Sequence, residues 1–212
     1  GNNVTIIDDY EFYVCKNLHS ILIPSSVQSI GYNAFCCSLD ELHINSLKAW
    51  CNIDFKQGSN PLSVAHKMYL DGKEITELVI PDGIEKVKDY AFAHWTNVTS
   101  VFIPNSVKSI GNYAFQGCKS VTSVDISNSV TSIGNRAFSD CTNLSAVTLP
   151  QSVTTIGDLA FCRCSEIRSV ELPSSVKTIG SAAFTDCSNL SSITIPDSVT
   201  DIGNSTFFNC IK

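Results

Sequence analysis

Cysteine is the most reactive residue type in this chain, and ten cysteines are spread over its 212 residues. Thiolates act as nucleophiles, bind metals and form disulfides, so their spacing indicates which of these reactions is open to them. Six share one position, three residues after a phenylalanine: Cys15, Cys118, Cys141, Cys164, Cys187 and Cys210. Stacked strands would hold neighbouring members about 4.8 Å apart, with Cβ atoms farther apart than a disulfide needs. We therefore expect buried, unpaired thiols that pack as small apolar groups.

The four other cysteines are Cys36, Cys37, Cys51 and Cys162. Cys36 and Cys162 directly follow a phenylalanine, at a place expected to be turn-like and exposed. A disulfide between Cys51 and either Cys36 or Cys37 stays open at this point. Cys162 and Cys164 are too close together for the usual zinc spacing, so we expect no metal site.

Histidines offer little catalytic potential, because His19, His43, His66 and His94 lie at unrelated positions. The one conceivable nucleophile and base are Cys51 and His66, although Cys51 also fits the buried face of a short helix. The sequence has no Gly-x-Ser-x-Gly, P-loop, His-Glu-x-x-His or EF-hand motif. These observations predict a protein that is not an enzyme and needs no cofactor.

The cysteines belong to a larger pattern that returns every 23 residues. One repeat reads Leu-x-x-Val/Ile-x-Ile/Leu-Pro-x-Ser-Val-x-x-Ile-Gly-x-x-Ala-Phe-x-x-Cys. Its glycines are Gly111, Gly134, Gly157, Gly180 and Gly203, and its phenylalanines are Phe92, Phe115, Phe138, Phe161, Phe184 and Phe207. Periods of roughly 20 to 29 residues are typical of leucine-rich repeats. We therefore predict a right-handed leucine-rich repeat solenoid that is β-rich, with little helix.

Eight apolar triplets predict eight long strands, one for each turn of the solenoid. Their last two apolar residues alternate with a polar-leaning position, as in a strand with one buried face. The triplets begin at Leu18, Leu39, Ile75, Val98, Val121, Leu144, Ile167 and Leu190. The Val-x-x-Ile-Gly segment predicts a second short strand on the opposite wall, and Ala-Phe should point inward. The phenylalanines then form a column from Phe12 to Phe207.

We expect one domain over residues 1–212, with N-terminal repeats at 1–44, an irregular inserted turn at 45–77 and regular repeats at 78–212. In the inserted turn, Leu47, Trp50 and Cys51 have helical spacing after Ser46, a suitable N-cap. Asp71-Gly72 lies between Met68-Tyr69-Leu70 and Lys73-Glu74-Ile75 and predicts a β-hairpin.

The motif Ile-Pro-x-Ser-Val-x-x-Ile-Gly-x-x-Ala-Phe-x-x-Cys-x-x-Leu resembles the BspA-like leucine-rich repeats. Its best copies run over 103–121, 149–167 and 172–190, and the match covers 12–44 and 78–210. The resemblance implies a secreted or cell-surface microbial protein. It also implies adhesion or host-protein binding without catalysis, through an open surface to which no single functional residue can be assigned.

The outward positions of the long strands are therefore the candidate ligand-binding residues. One row combines apolar residues near its start with polar and acidic ones: Leu22, His43, Val79, Phe102, Asp125, Thr148, Glu171 and Thr194. We expect the first four to lie in consecutive turns, where adjacent exposed apolar groups would mark a contact site. Alternatively, the inserted turn covers them as an accessory core.

Charge narrows the class of partner. The net charge is −6, without a basic stripe, which argues against nucleic acid, and no apolar stretch is long enough to span a membrane. The leading prediction is a protein-interaction or adhesion module that binds a host or matrix protein. A glycan-binding module and a structural spacer within a larger surface protein are the alternatives.

Overall fold

The computed structural model describes residues 3–210, and these form a solenoid of stacked turns. Each regular turn supplies one long and one short strand. Strands of successive turns pair in parallel, with partners 23 residues apart, as between Val101 and Val124 or between Ile110 and Ile133. The predicted leucine-rich repeat solenoid and its second short strand are confirmed.

The elements follow one another in a regular order that is interrupted once, between β4 and β8. In chain order they are β1 (Ile6–Ile7), β2 (Ser20–Ile23), β3 (Ser29–Ile30), β4 (Glu41–Ile44), α1 (Leu47–Cys51), β5 (Asp54–Phe55), α2 (Leu62–Ala65), β6 (Met68–Leu70), β7 (Lys73–Ile75), β8 (Glu77–Val79), β9 (Lys86–Val87), β10 (Ser100–Ile103), β11 (Ser109–Ile110), β12 (Ser123–Ile126), β13 (Ser132–Ile133), β14 (Ala146–Thr148), β15 (Thr155–Ile156), β16 (Ser169–Glu171), β17 (Thr178–Ile179), β18 (Ser192–Thr194) and β19 (Asp201–Ile202).

The long strands form three sheets, with orders β2-β4-β6-β7, β8-β10-β12-β14 and β16-β18. The short strands form two, β1-β3-β5 and a six-stranded sheet from β9 to β19. All pairs are parallel except β6 with β7. Alternation along β12 is typical: Val124 and Ile126 are buried, whereas Ser123 and Asp125 face solvent.

Neighbouring turns approach too closely for a side chain at the glycine that follows six of the nine short strands, namely β3, β11, β13, β15, β17 and β19. A Cβ atom added to Gly134 would lie 2.7 Å from the carbonyl carbon of Gly111, inside van der Waals contact. This close stacking aligns equivalent residues into columns. The rings of Phe115, Phe138 and Phe161 are fully or almost fully buried, and neighbouring rings stack with centroids 5.2 and 5.4 Å apart.

The irregular turn contains the predicted helix and hairpin. The helix α1 is capped by Ser46, whose Oγ accepts a hydrogen bond from the Ala49 backbone N–H at 3.1 Å. The hairpin joins β6 and β7 through Asp71-Gly72, and both of these turn residues have positive φ. The turn also contains a second short helix, α2, which the sequence pattern did not indicate.

The predicted phenylalanine column is not continuous. Phe12 stacks on Phe35, and the stack from Phe92 to Phe207 is separate. Phenylalanine stands five residues after the last residue of a short strand, as in Ile30 to Phe35. In the inserted turn that place, five residues after Phe55, is Asn60. A polar side chain therefore takes the position of a core ring.

Side chains replace the missing backbone contacts where the inserted turn meets the regular repeats. In regular turns a phenylalanine N–H donates to the next alanine carbonyl, as from Phe92 to Ala114 at 2.8 Å. The carbonyl oxygen of Ala91 instead accepts from Trp50 Nε1 and Asn60 Nδ2, each at 2.9 Å. Both polar groups are thereby satisfied in the interior.

The stacked column predicts a large effect of truncating one of its rings. Phe138→Ala should lower the free energy of unfolding by about 3 to 5 kcal/mol, because it leaves a cavity between two rings. Urea unfolding followed by circular dichroism measures the change. Phe208→Ala is the matched control, since Phe208 is 66% exposed. A parental midpoint for Phe138→Ala would contradict the stacked column.

Candidate functional site on the long-strand face

The outward residues of the long strands form the candidate site. Leu22, Val79 and Phe102 expose 57%, 58% and 44% of their surface, so the inserted turn does not cover them as an accessory core. His43 is half-buried, and the remaining four predicted residues of the row are exposed: Asp125, Thr148, Glu171 and Thr194.

The expectation that the four apolar-leaning residues lie in consecutive turns is wrong. The strand β6 pairs with β4 and places Tyr69 beside His43. Tyr69 stacks on the His43 ring at 4.9 Å, and His43 Nε2 lies 3.0 Å from Glu41 Oε2. The inserted turn thus supplies a strand of its own between the two halves of the row. Leu22 and His43 belong to one sheet, whereas Val79 and Phe102 belong to the next.

Val79 and Phe102 are direct neighbours, because β8 pairs with β10 in a register that sets them side by side. On its other side Phe102 is paired with Asp125. Glu77 also lines the shallow groove around Phe102, which has a volume of about 410 Å³. We call these four residues the β8–β12 patch; it is an apolar pair with Asp125 beside Phe102 on the next strand and Glu77 two residues before Val79 on the same strand.

The rest of the row is divided once more. Asp125 and Thr148 are partners on β12 and β14, and Glu171 and Thr194 are partners on β16 and β18. No backbone ladder joins β14 to β16 in the described structure, and a second groove lies between these strands. The repeats on both sides of this interruption keep the 23-residue spacing.

The repeated cysteines have a clear structural role. Cys118, Cys141, Cys164 and Cys187 are buried, and each thiol donates to the phenylalanine carbonyl of the preceding turn, as from Cys141 to Phe115 at 3.2 Å. All ten cysteines are unpaired. The thiol therefore fills a small apolar space and satisfies a carbonyl oxygen.

Three cysteines differ from the expectation. Cys15 is exposed and Cys210 is half-buried, because each lies in a terminal described turn that has a neighbour on one side only. Cys162 is buried, and its equivalent in the preceding turn, Ser139, is buried as well. Cys36 is exposed, as predicted.

The chemistry of Cys51 does not suit a nucleophile. Its side chain is almost fully buried on α1, and burial raises the pKa of its thiol to about 12. Reactive cysteines have a lowered pKa and an open approach. Within residues 3–210, no group of three or more His, Cys, Asp or Glu side chains could hold a metal ion. None of the helices in that range is long and apolar enough to cross a membrane.

A family model for the "BspA type Leucine rich repeat region" matches six copies, over residues 1–71, 62–165 and 85–212. The chain belongs to the BspA-type leucine-rich repeat family. No curated protein matches it. The leucine-rich repeat solenoid is a typical non-catalytic repeat scaffold.

Solved structures support the same fold. A leucine-rich repeat protein of T. pallidum is 31% identical over 61% of this BspA-type chain and 69% of its own, with a TM-score of 0.56. One from Eubacterium ventriosum is 22% identical, covering 100% and 70%, with a TM-score of 0.66. A leucine-rich cell surface protein of Faecalibacterium prausnitzii is 24% identical, covering 97% and 58%, with a TM-score of 0.62.

Burial of the BspA-type cysteine column predicts selective thiol chemistry. In the native chain, the exposed Cys15 and Cys36 should react quickly with a disulfide-exchange reagent, whereas Cys118, Cys141 and Cys164 should react only after unfolding. Mass spectrometry of labelled peptides identifies the sites, and the urea-unfolded chain is the control. Rapid native labelling of Cys141 would disprove the buried column.

The same column predicts that stability falls in alkali. Burial raises the pKa of Cys118 and Cys187 to about 12, whereas an ordinary value is 9.0. The unfolded chain therefore loses these protons first, and its free energy falls relative to the native state as pH rises above 9. The urea midpoint should decrease from pH 9 to 11, and less steeply in Cys118→Ala. Equal slopes for the two chains would contradict the raised pKa.

Proposed function

We propose that this chain is a non-enzymatic adhesion or protein-interaction module of a secreted or cell-surface protein. It binds a host or matrix protein through the long-strand face. The observation that carries the proposal is the adjacent pair Val79 and Phe102, both substantially exposed on a rigid sheet. Exposed neighbouring apolar groups within a polar surround are typical of protein contact sites.

Charge supports a partner of particular chemistry. Asp125 lies beside Phe102 on the next strand, Glu77 lies two residues before Val79 on β8, and the whole chain carries −6. A complementary surface offers an apolar side chain flanked by lysine or arginine. Solvent and salt screen such exposed charges, so they affect the association rate and partner choice more than the affinity.

The remaining row residues extend the proposed contact. Thr148, Glu171 and Thr194 continue the face beyond the β8–β12 patch, and Leu22 and His43 offer a second area on the other side of the hairpin. A glycan remains the alternative ligand for this face. The aromatic side chains of the face give the glycan less support, because the Tyr69 ring is stacked on His43. The surface location draws support from the family and from the cell surface protein among the similar structures.

Binding to immobilised fibronectin, laminin and collagen, beside a glycan array, tests the proposal. We expect saturable binding to a matrix protein that Phe102→Asp lowers by about tenfold or more, because it buries a charge in an apolar contact. Phe208→Asp makes the same change at an exposed phenylalanine outside the sheet and should leave binding unchanged.

Two outcomes would overturn this proposal. Silence on every surface would favour a structural spacer, and binding that is confined to the glycan array would favour the alternative ligand. Equal loss of binding in Phe102→Asp and Phe208→Asp would also overturn the assignment to the sheet. Thermal melting of each variant separates lost binding from lost folding.

A further inference from the structure

A pocket of about 410 Å³ lies away from the long-strand face, where the inserted turn meets the first regular repeats. The inserted turn contributes Gln57, Ser59 and Asn60, and the repeats contribute Tyr90, Tyr113 and Arg136. We call it the junction pocket. Its volume lies within the range of about 300 to 1,000 Å³ that is usual for small-molecule sites.

The wall of the junction pocket is built by contacts that fix its shape. Asn60 donates from Nδ2 to the carbonyl oxygens of Tyr90 and Ala91 at 2.8 and 2.9 Å, and its Oδ1 accepts from the Leu62 N–H at 2.9 Å. The Tyr90 and Tyr113 rings stack at 4.7 Å, with an angle of 10° between their planes. The shape of the pocket is thus fixed by the Asn60 side-chain amide, whose hydrogen bonds are made within the chain, and by the stacked rings of Tyr90 and Tyr113.

One polar group in this wall lacks a partner. Ser59 lines the pocket and has no exposed surface, yet its Oγ makes no hydrogen bond to any residue of the described chain. Burying a hydroxyl without a hydrogen bond is unfavourable, and most buried polar groups in native proteins are paired. Because Ser59 has no exposed surface, a ligand in the pocket cannot reach its Oγ while the wall keeps this shape, so Ser59 belongs to the wall and is not a ligand contact.

The electrostatics of the pocket differ from those of the rest of the chain. No carboxylate is among its lining residues, although the net charge of the chain is −6 and acidic groups line the grooves on the long-strand face. The guanidinium of Arg136 lies 5.9 Å from the centre of the Tyr113 ring, at the pocket wall. The one arginine makes the site suited to a single negative charge.

We propose that the junction pocket binds a carboxylate-bearing sugar residue. The Arg136 guanidinium matches a carboxylate, with which it can form two parallel hydrogen bonds. The Gln57 and Gln116 amides and the tyrosine hydroxyls offer the mixed donors and acceptors that sugar hydroxyls need. A phosphate group, which carries up to two charges, suits this pocket less because Arg136 is its only arginine or lysine.

Calorimetric titration of the whole chain with D-glucuronate, D-galacturonate and N-acetylneuraminate tests the inference, and D-glucose is the neutral comparison. At least one acidic sugar should bind about tenfold more tightly than glucose. Arg136→Gln should remove about that tenfold preference, since a hydrogen bond to a charged group contributes on this scale. Arg163→Gln is the matched control, because Arg163 pairs with Asp140 outside the pocket lining.

Ser59→Ala is a further control, for the pocket wall. It should leave the affinity for the acidic sugar unchanged, because a ligand cannot reach the buried hydroxyl, while the melting temperature of the unliganded chain stays the same or rises, because an unpaired buried hydroxyl is removed. Loss of the preference for an acidic sugar in Ser59→Ala, without a lower melting temperature, would contradict the assignment of that preference to Arg136.

The inference fails if no acidic sugar binds at millimolar concentration, or if Arg136→Gln and Arg163→Gln weaken binding equally. It is independent of the proposed protein contact, since Phe102→Asp should leave sugar affinity unchanged. Loss of sugar binding in Phe102→Asp would place the sugar on the long-strand face and overturn the junction pocket.

Discussion

The close approach of one turn to the next is the constraint on which the rest of this solenoid depends. At the glycine that follows six of the nine short strands, the space between turns is less than a Cβ atom requires. Because the turns are fixed at this spacing, each residue packs against the equivalent residues of the turns before and after it. Flat phenylalanine rings stack, and thiols reach the carbonyl of the turn before. The core is therefore a set of columns, and in the two columns just described one residue type recurs.

Much of this followed from the sequence because a column repeats its signal. The 23-residue period predicted both strand walls and the inward phenylalanines, and the segment from Leu47 to Cys51 combined helical spacing with a cap at Ser46. Elements that occur once gave weaker signals. Ala65, Met68 and Leu70 keep the spacing of the apolar triplet, but alanine is a weak apolar signal and no proline follows, so the pairing of this strand beside β4 was not predicted. The division of the chain at 45 and 77 remains a prediction.

The candidate sites were predictable to different degrees. The outward row was correctly placed on strands, but its continuity depended on which strand follows β4, and that is a tertiary fact. The junction pocket was not predicted, because the polar residue Asn60 stands where a core phenylalanine is usual and gives no apolar signal in the sequence. A signal did exist: Tyr90 and Tyr113 stand 23 residues apart, followed at the same spacing by Arg136. Such a column of large residues differs from the small ones usual at a turn.

The junction between the inserted turn and the repeats is the one place in the described chain where both strand walls and the ring stack are interrupted together. Side chains bridge it: Trp50, Asn60 and Lys88, whose Nζ donates to the Asn52 carbonyl at 2.8 Å. Because only a few side chains connect the two parts of the solenoid, few residues in either part are needed to join them. Whole repeats can therefore be gained or lost beyond this junction, because each added turn pairs only with the turn before it.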